Sequence, residues 1–226
     1  LAGGQGTRLK NIVSDIPKPM VNISGKPFLE YIVRFLLNKG INKVIFSLGY
    51  KADVIEDYFK NEYCGLKLDY VIEKTPLGTG GGLALAMKKV SGNSVFVFNG
   101  DSLSLVSLES LSKFHRSVSA DLTLVTKHVT DAKRYGVVQM SNQGVIKSFK
   151  EKKSEMGLIN TGVYLISKKW FYEMKPNLQK FSFEKEMLEP SIIKGTVYGF
   201  QSSEYFIDIG IPEDYEKAKE EMIFLK

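Results

Sequence analysis

Between Phe28 and Phe98 the chain switches repeatedly between two hydrophobic periods, and that alternation restricts its fold more than any other feature. "FLEYIVRFLLNKG" follows Pro27 and stops at Gly40, with Phe28, Ile32, Phe35 and Leu36 on one helical face. A proline near the start and a glycine just past the end are helix-boundary signals. "KVIFSLG" then reads as a short buried strand, "DVIEDYFKN" as a helix, "LDYVIE" as a strand and "GLALAMKKV" as a helix, before "SVFVFNGD" gives an apolar strand ending in a turn. Strands separated by single helices imply right-handed βαβ units and a mostly parallel sheet. The expected class is α/β, a Rossmann-like, mostly parallel mixed sheet flanked by helices.

The second half reads differently. "ADLTLVTKHV" and "YGVVQMSNQGVIKSFKE" alternate apolar and polar residues, the latter as a hairpin turning at Asn142-Gln143-Gly144. "INTGVYLI" is a further strand, and "PEDYEKAKEEMIF" a closing helix with Pro212 near its start. No internal repeat, linker or low-complexity tract interrupts the 226 residues. One domain is expected, with residues 1–115 as one half and 116–226 as a more antiparallel half plus the closing helix, and with no hexapeptide-repeat domain after it.

Composition excludes some classes and leaves others open. No run approaches a transmembrane length and no signal-peptide pattern opens the chain. The first residue is Leu1, and the glycine-rich turn has nothing ahead of it, so a preceding apolar strand is expected to be missing from the sequence. The single Cys64 rules out an internal disulfide and fits a reducing cytoplasm, and with two histidines a structural zinc site is improbable. A net charge of +6 suits phosphorylated ligands. The basic residues are interleaved with acidic ones, which argues against a nucleic-acid-binding stripe.

The chain opens "LAGGQGTRLK" and soon reads "PKPM". Glycines let backbone N–H groups converge on phosphate oxygens with no Cβ in the way. The P-loop pattern is absent, and the dinucleotide fingerprint would need glycine where Leu9 stands. "GGQGTRL" is therefore a third kind of loop, with a plain turn as the competing reading. Pro17 and Pro19 stiffen the backbone around Lys18, and Arg8 with Lys18 would bring two cations to one phosphate cluster. Asp101 follows "VFVFNG" and Asp208 follows "EYFI", both at strand ends. Two hard oxygen ligands completed by phosphate oxygens make a Mg²⁺ site. Each aspartate taken singly also fits a helix N-cap or a turn.

"LAGGQGTRL…PKPM", "EKTPLGTGGG", "FNGDS", "FKEKK", "INTGVYLI" and "FIDIGIPEDY", in this order from the first residue to the last helix, resemble the sugar-1-phosphate nucleotidyltransferase family. Within it the sequence is most similar to the guanylyltransferases of D-glycero-α-D-manno-heptose 1-phosphate. The resemblance implies a glycosyltransferase-A-like nucleotidyltransferase fold, Mg²⁺ as cofactor, and transfer from an NTP to a sugar 1-phosphate with release of pyrophosphate. It also implies a cytoplasmic enzyme of nucleotide-sugar biosynthesis feeding surface polysaccharide, and allows a homodimer. Leu1, Ala2 and the backbone of Gly3, Gly4, Gln5 and Gly6, with Thr7 and Arg8, would hold the triphosphate. Arg8 would face the departing pyrophosphate, and Lys18 would bridge the α-phosphate and the sugar phosphate. Asp101 and Asp208 would hold the metal. Gly100, Glu151, Lys152, Asn160 and Thr161 would meet the sugar phosphate, although "KEKK" also reads as a solvated strand end and Asn160 as a turn residue.

Glu73, three residues before the proline of "TPLGTG", would lie beside the base. Guanine offers two adjacent donors, N1–H and the N2 amino group, and an ionised carboxylate accepts both. Uracil or thymine offers one donor beside acceptors, which glutamine suits better. Glu73 therefore favours GTP, with pairing to Lys74 as the alternative. Pro76, Leu77, Gly78, Thr79 and Gly80 would form the wall and floor beside the base, or simply a loop leading into a helix that starts near Gly82. The rival readings are a uridylyl- or thymidylyltransferase on another hexose 1-phosphate, and a catalytically silent relative that binds a nucleotide sugar.

Overall fold

The computed structural model describes residues 1–4, 16–151 and 156–225, and the side chains of all these except 150 and 151. A 3₁₀ turn at Lys18–Met20 leads into β1 (Asn22–Ile23), β2 (Lys26–Pro27), α1 (Phe28–Asn38), β3 (Lys43–Leu48), α2 (Ala52–Phe59), β4 (Glu62–Tyr63), β5 (Leu66–Ile72) and α3 (Gly78–Met87). β6 (Ser94–Phe98), β7 (Ser102–Ser104), α4 (Leu108–Ser117), β8 (Leu122–Val129), β9 (Gly136–Met140), β10 (Ile146–Glu151) and β11 (Gly157–Ser167) follow. The chain continues with α5 (Lys168–Met174), α6 (Glu189–Ile192), β12 (Val197–Gln201), β13 (Phe206–Asp208) and α7 (Pro212–Glu221). The class is α/β with mixed sheets and flanking helices.

Contacts group these elements into two compact units, one of Leu1–Lys89, Asn99–Leu103 and Ile207–Lys226, the other of Val90–Phe98 and Ser104–Phe206. The sequence puts one division near residue 115; strand pairing divides the chain differently. β6 pairs antiparallel with β11, Val163 opposite Phe98 through Ser167 opposite Ser94, which draws β6 into the second unit. The closing helix α7 belongs with the first.

In the first unit β3 and β5 run parallel, Lys43 opposite Lys67 through Leu48 opposite Ile72, and β4 adds antiparallel to β5. Ala2 bridges Leu48 in parallel on the other edge of β3. Helix α1 buries Phe28, Ile32, Phe35 and Leu36, the face expected from their spacing. Phe46 of β3 packs on Phe59 of α2, ring centroids 5.5 Å apart. Each such buried side chain contributes about 2 kcal/mol by removal from water. Helix α3 begins at Gly78, not near Gly82, so the glycine run expected to be loop is helical. Glycine costs about 1 kcal/mol per residue in a helix, but Gly80, Gly81 and Gly82 are buried, and a Cβ on Gly82 would stand 2.5 Å from Glu73 Oε1.

The second unit holds a six-stranded sheet in the order β10-β9-β11-β8-β12, with β6 also on β11. Its pairs are antiparallel except β12 with β8. The β9–β10 hairpin turns where expected, with Gly144 at φ +82° and its N–H donated to Ser141 O. The register of β11 on β8 shifts between Asn160 and Tyr164, where Gly162 takes φ +76°. Tyr164 is fully buried and meets Phe183 edge-on at 5.1 Å.

One carboxylate sits inside the first unit's core. Glu30 of α1 is 2% exposed and accepts from Arg34 Nε at 2.7 Å and from the Tyr58 hydroxyl. Burial pushes its carboxyl up, but hydrogen bonds from Tyr58, Arg34 and Tyr63 outweigh this and hold it below its ordinary value, while Tyr58 is pushed up to about 12. A lowered folded value stabilises the protein above pH 4.5, and that contribution is lost as pH falls through the folded value. Glu30→Ala should therefore lower stability by about 1–3 kcal/mol at neutral pH, and the gap to wild type should close below pH 4.5. Urea titrations across pH 3–7 check both.

Candidate active site

Parallel strands leave their carboxyl ends open to ligands, and here the ends of β3 and β5 open into a cleft of about 510 Å³. Ligand pockets commonly enclose about 300–1,000 Å³. Leu1, Gly3, Gly4, Glu73, Pro76, Gly78, Thr79 and Asp101 line it, together with Ser47, Gly49, Tyr50 and Asn99. All of these lie in the first unit. The opening segment reaches the cleft by backbone bonding: Ala2 N–H donates to Ser47 O at 2.8 Å, and Gly100 N–H donates to Leu1 O at 2.8 Å. A Cβ on Gly100 would stand 2.9 Å from Ala2 Cβ, so Gly100 serves the approach of that segment.

Lys18 is fixed by its prolines. Pro17 is extended and Pro19 stands in the first turn of the 3₁₀ helix. The Lys18 ammonium, whose side chain is 11% exposed, donates to Asp101 Oδ2 at 2.7 Å. Asp101 follows β6 and is tied to the end of β13 by Ile209 N–H donating to Asp101 O at 3.0 Å. Asp208 Oδ1 accepts from Gly210 N–H at 2.6 Å, a turn bond. Lys18 Nζ lies 3.6 Å from where a Gly210 Cβ would stand, so the ammonium borders the Asp208–Gly210 turn. Lys18, Asp101 and Asp208 are thus brought together from three distant stretches of sequence. Asp101 and Asp208 supply hard oxygen donors, and a carboxylate has about four lone-pair sites, so the bonds already made are compatible with ligation. This donor set fits Mg²⁺, which takes the rest of its shell from water and phosphate. Among the described residues no group of three or more metal-ligating side chains occurs.

Glu73 stands just past β5, its N–H bonded to Leu48 O at 2.8 Å. Its Oε2 accepts from Leu77 N–H at 2.8 Å, so the carboxylate holds the Pro76–Thr79 wall as well as facing the cleft. Oε1 sits between two residues that have no side chain. A Cβ on Gly3 would lie 2.7 Å from it and one on Gly82 2.5 Å. Gly80 backs the wall from within α3, buried.

The residues expected to meet a sugar belong to the second unit. Asn160 donates from Nδ2 to Tyr164 OH at 2.7 Å and accepts from Gly162 N–H at 3.0 Å. Thr161 is 2% exposed and its hydroxyl donates to Val125 O at 3.0 Å. Its side chain fastens β11 to β8 at the register shift. Glu151 ends β10, paired with Gly136. Gln5, Gly6, Thr7, Arg8 and Lys152 lie outside the described residues, as does the Glu151 side chain. Sequence reasoning missed Ser47, Tyr50 and Asn99. Ser47 had one visible signal, a lone polar residue inside the apolar run "KVIFSLG".

Known proteins resemble this chain over nearly its whole length. The chain matches the nucleotidyl transferase family over residues 1–223. It is 48% identical to the D-glycero-alpha-D-manno-heptose 1-phosphate guanylyltransferase of Aneurinibacillus thermoaerophilus, over 98% of this chain and 96% of the relative. The enzyme of the same name from Campylobacter jejuni is 45% identical, over 95% of each. A crystal structure of HddC from Yersinia pseudotuberculosis complexed with GMP-PN matches with a TM-score of 0.87 and 41% identity, over 98% of this chain and 96% of that one.

Gly82 gives a direct test of the cleft. Alanine favours a helix by about 1 kcal/mol over glycine, yet its Cβ would crowd both Glu73 Oε1 at 2.5 Å and Ser47 Oγ at 2.8 Å. Gly82→Ala should shift the melting temperature by less than about 4 °C while weakening nucleotide binding at least about tenfold, as read by calorimetry.

Proposed function

Because the chain belongs to the nucleotidyl transferase family, we propose that it transfers a guanylyl group from GTP to D-glycero-α-D-manno-heptose 1-phosphate, giving GDP-heptose and pyrophosphate. The observation that carries this reading is the near full-length similarity to two enzymes of that name. The solved relative that holds GMP-PN supports the choice of guanine, as does a carboxylate, Glu73, on the cleft.

A non-bridging oxygen of the sugar phosphate attacks the α-phosphorus in line; the bond from that phosphorus to the bridging oxygen breaks, and pyrophosphate leaves. The attacking oxygen is already anionic, so no general base is required. The obstacle is the meeting of two anions, which cations and oriented donors relieve. Lys18 is prepared for this role. Its ammonium is already withdrawn from water and oriented by Asp101, and its three N–H donors can turn to the α-phosphate and the incoming phosphate. Asp101 and Asp208 would hold Mg²⁺, which supplies shielding of phosphate charge and alignment of phosphate oxygens. Glu73 accepts N1–H and N2–H of guanine while its bond to Leu77 N–H keeps the wall beside the base in place. The roles of Gln5, Gly6, Thr7 and Arg8 at the triphosphate, and of Glu151, Lys152 and Asn160 at the sugar, rest on the family resemblance. A cytoplasmic location fits the nucleotide substrates and the exposed free Cys64.

Pyrophosphate release, measured with Mg²⁺ over GTP, UTP, dTTP and ATP against heptose, mannose and glucose 1-phosphates, tests the reading. Release confined to GTP with the heptose phosphate is expected; a preference for UTP or dTTP, or for mannose 1-phosphate, would overturn the base or the sugar assignment. Lys18→Ala should lower kcat by about 10²–10³-fold with the fold retained, as read by circular dichroism. Chelation should abolish turnover and Mg²⁺ restore it, with Asp101→Asn and Asp208→Asn each raising the Mg²⁺ concentration required.

A further inference from the structure

β3 carries a hydroxyl into the floor of the cleft that no bond among the described residues accounts for. Ser47 is 2% exposed and its Oγ is buried with no hydrogen-bond partner among the described residues. Its carbonyl is taken, Ser47 O accepting from Ala2 N–H, and the residue lies opposite Val71 in the β3–β5 ladder. Buried hydroxyls are nearly always satisfied, because an unpaired one retains its full desolvation cost. A residue needed only for its small size would be served better by alanine.

The geometry supplies a partner. The point where a Gly82 Cβ would stand is 2.8 Å from Ser47 Oγ and 2.5 Å from Glu73 Oε1, so hydroxyl and carboxylate face the same slot, kept open because residue 82 has no side chain. Among the described residues the Glu73 carboxylate is hydrogen-bonded through Oε2, to Leu77 N–H, which leaves Oε1 to be fixed by other donors. A carboxylate has about four lone-pair sites. Leu77 N–H takes one, and two adjacent donors on a purine edge take two more. One site remains for a donor from below, and Ser47 is the residue placed there.

We propose that Ser47 is a positioning residue for base selection: its O–H donates to Glu73 Oε1 when a guanine edge occupies the cleft, fixing the carboxylate in the plane that accepts N1–H and N2–H together. This rests on the guanine reading of Glu73. The hydroxyl acts through the carboxylate and touches no reacting atom, so its loss acts on KM and on base discrimination.

Steady-state kinetics with GTP and ITP, whose base lacks the N2 amino group, test this in wild type, Ser47→Ala, Ser47→Cys and Glu73→Gln. Ser47→Ala should raise KM for GTP about tenfold, the scale of one hydrogen bond to a charged group, with kcat within about twofold. The ratio of kcat/KM for GTP over ITP should fall at least about threefold, with Ser47→Cys, a weaker donor, in between. The ligand-free melting temperature of Ser47→Ala should hold or rise, since the hydroxyl it removes is unpaired. An unchanged GTP-to-ITP ratio in Ser47→Ala, or a drop of several degrees in its ligand-free melting temperature, would overturn the proposal and leave the guanine reading standing. A wild type with no preference for GTP over ITP, or a Glu73→Gln variant that keeps that preference, would instead remove the guanine reading itself and the proposal with it.

Discussion

Crowding at the carboxyl ends of β3 and β5 sets the terms for everything in the first unit. The opening segment is bonded to Ser47 O on one side and to Gly100 N–H on the other. α3 lies against the same strand end with Gly82 inward, next to Ser47 Oγ and Glu73 Oε1. Backbone this close leaves no volume for side chains, and the volume not taken becomes the cleft. The same packing sets against the low helix propensity of Gly82 an approach that a residue with a Cβ could not make without displacing Glu73 or Ser47.

Two pairs of groups then divide the chemistry. Lys18 and Asp101 form an ion pair at 2.7 Å with the lysine mostly out of water, so the cation is held in place by the protein's own carboxylate. Glu73 joins the cleft to its wall: the carboxylate that lines the cleft also holds Leu77 N–H, so changing it alters both. Glu30 shows the same principle in the core, where a buried carboxylate is kept ionised by the donors around it.

The βαβ half was legible because its signals are local. The spacing in "FLEYIVRFLLNKG" and the apolar run "KVIFSLG" each determine one element, and α1 and β3 form where those patterns lie. The strand-end setting of Asp101 and Asp208 was legible too, and the bond from Gly210 N–H to Asp208 shows the turn reading of that aspartate. What failed to show depends on partners distant in sequence. The start of α3 is set by what Gly82 packs against, so a glycine run read locally as loop became helix. The bond from the Thr161 hydroxyl to Val125 O, at the register shift of β11 against β8, is likewise made to a strand distant in sequence. Ser47 reads as one polar residue in an apolar run, and only the placement of Glu73 and Gly82 beside it gives it a role.

A crystal structure with a non-hydrolysable GTP analogue and Mg²⁺ would test most directly whether this cleft is a guanine-nucleotide site organised around Lys18 and Glu73. The expected result has the guanine edge on Glu73 with Leu77 N–H still bound, and Lys18 Nζ turned from Asp101 to an α-phosphate oxygen. A nucleotide seated away from Glu73, or a Lys18–Asp101 pair left intact with no phosphate contact, would contradict it.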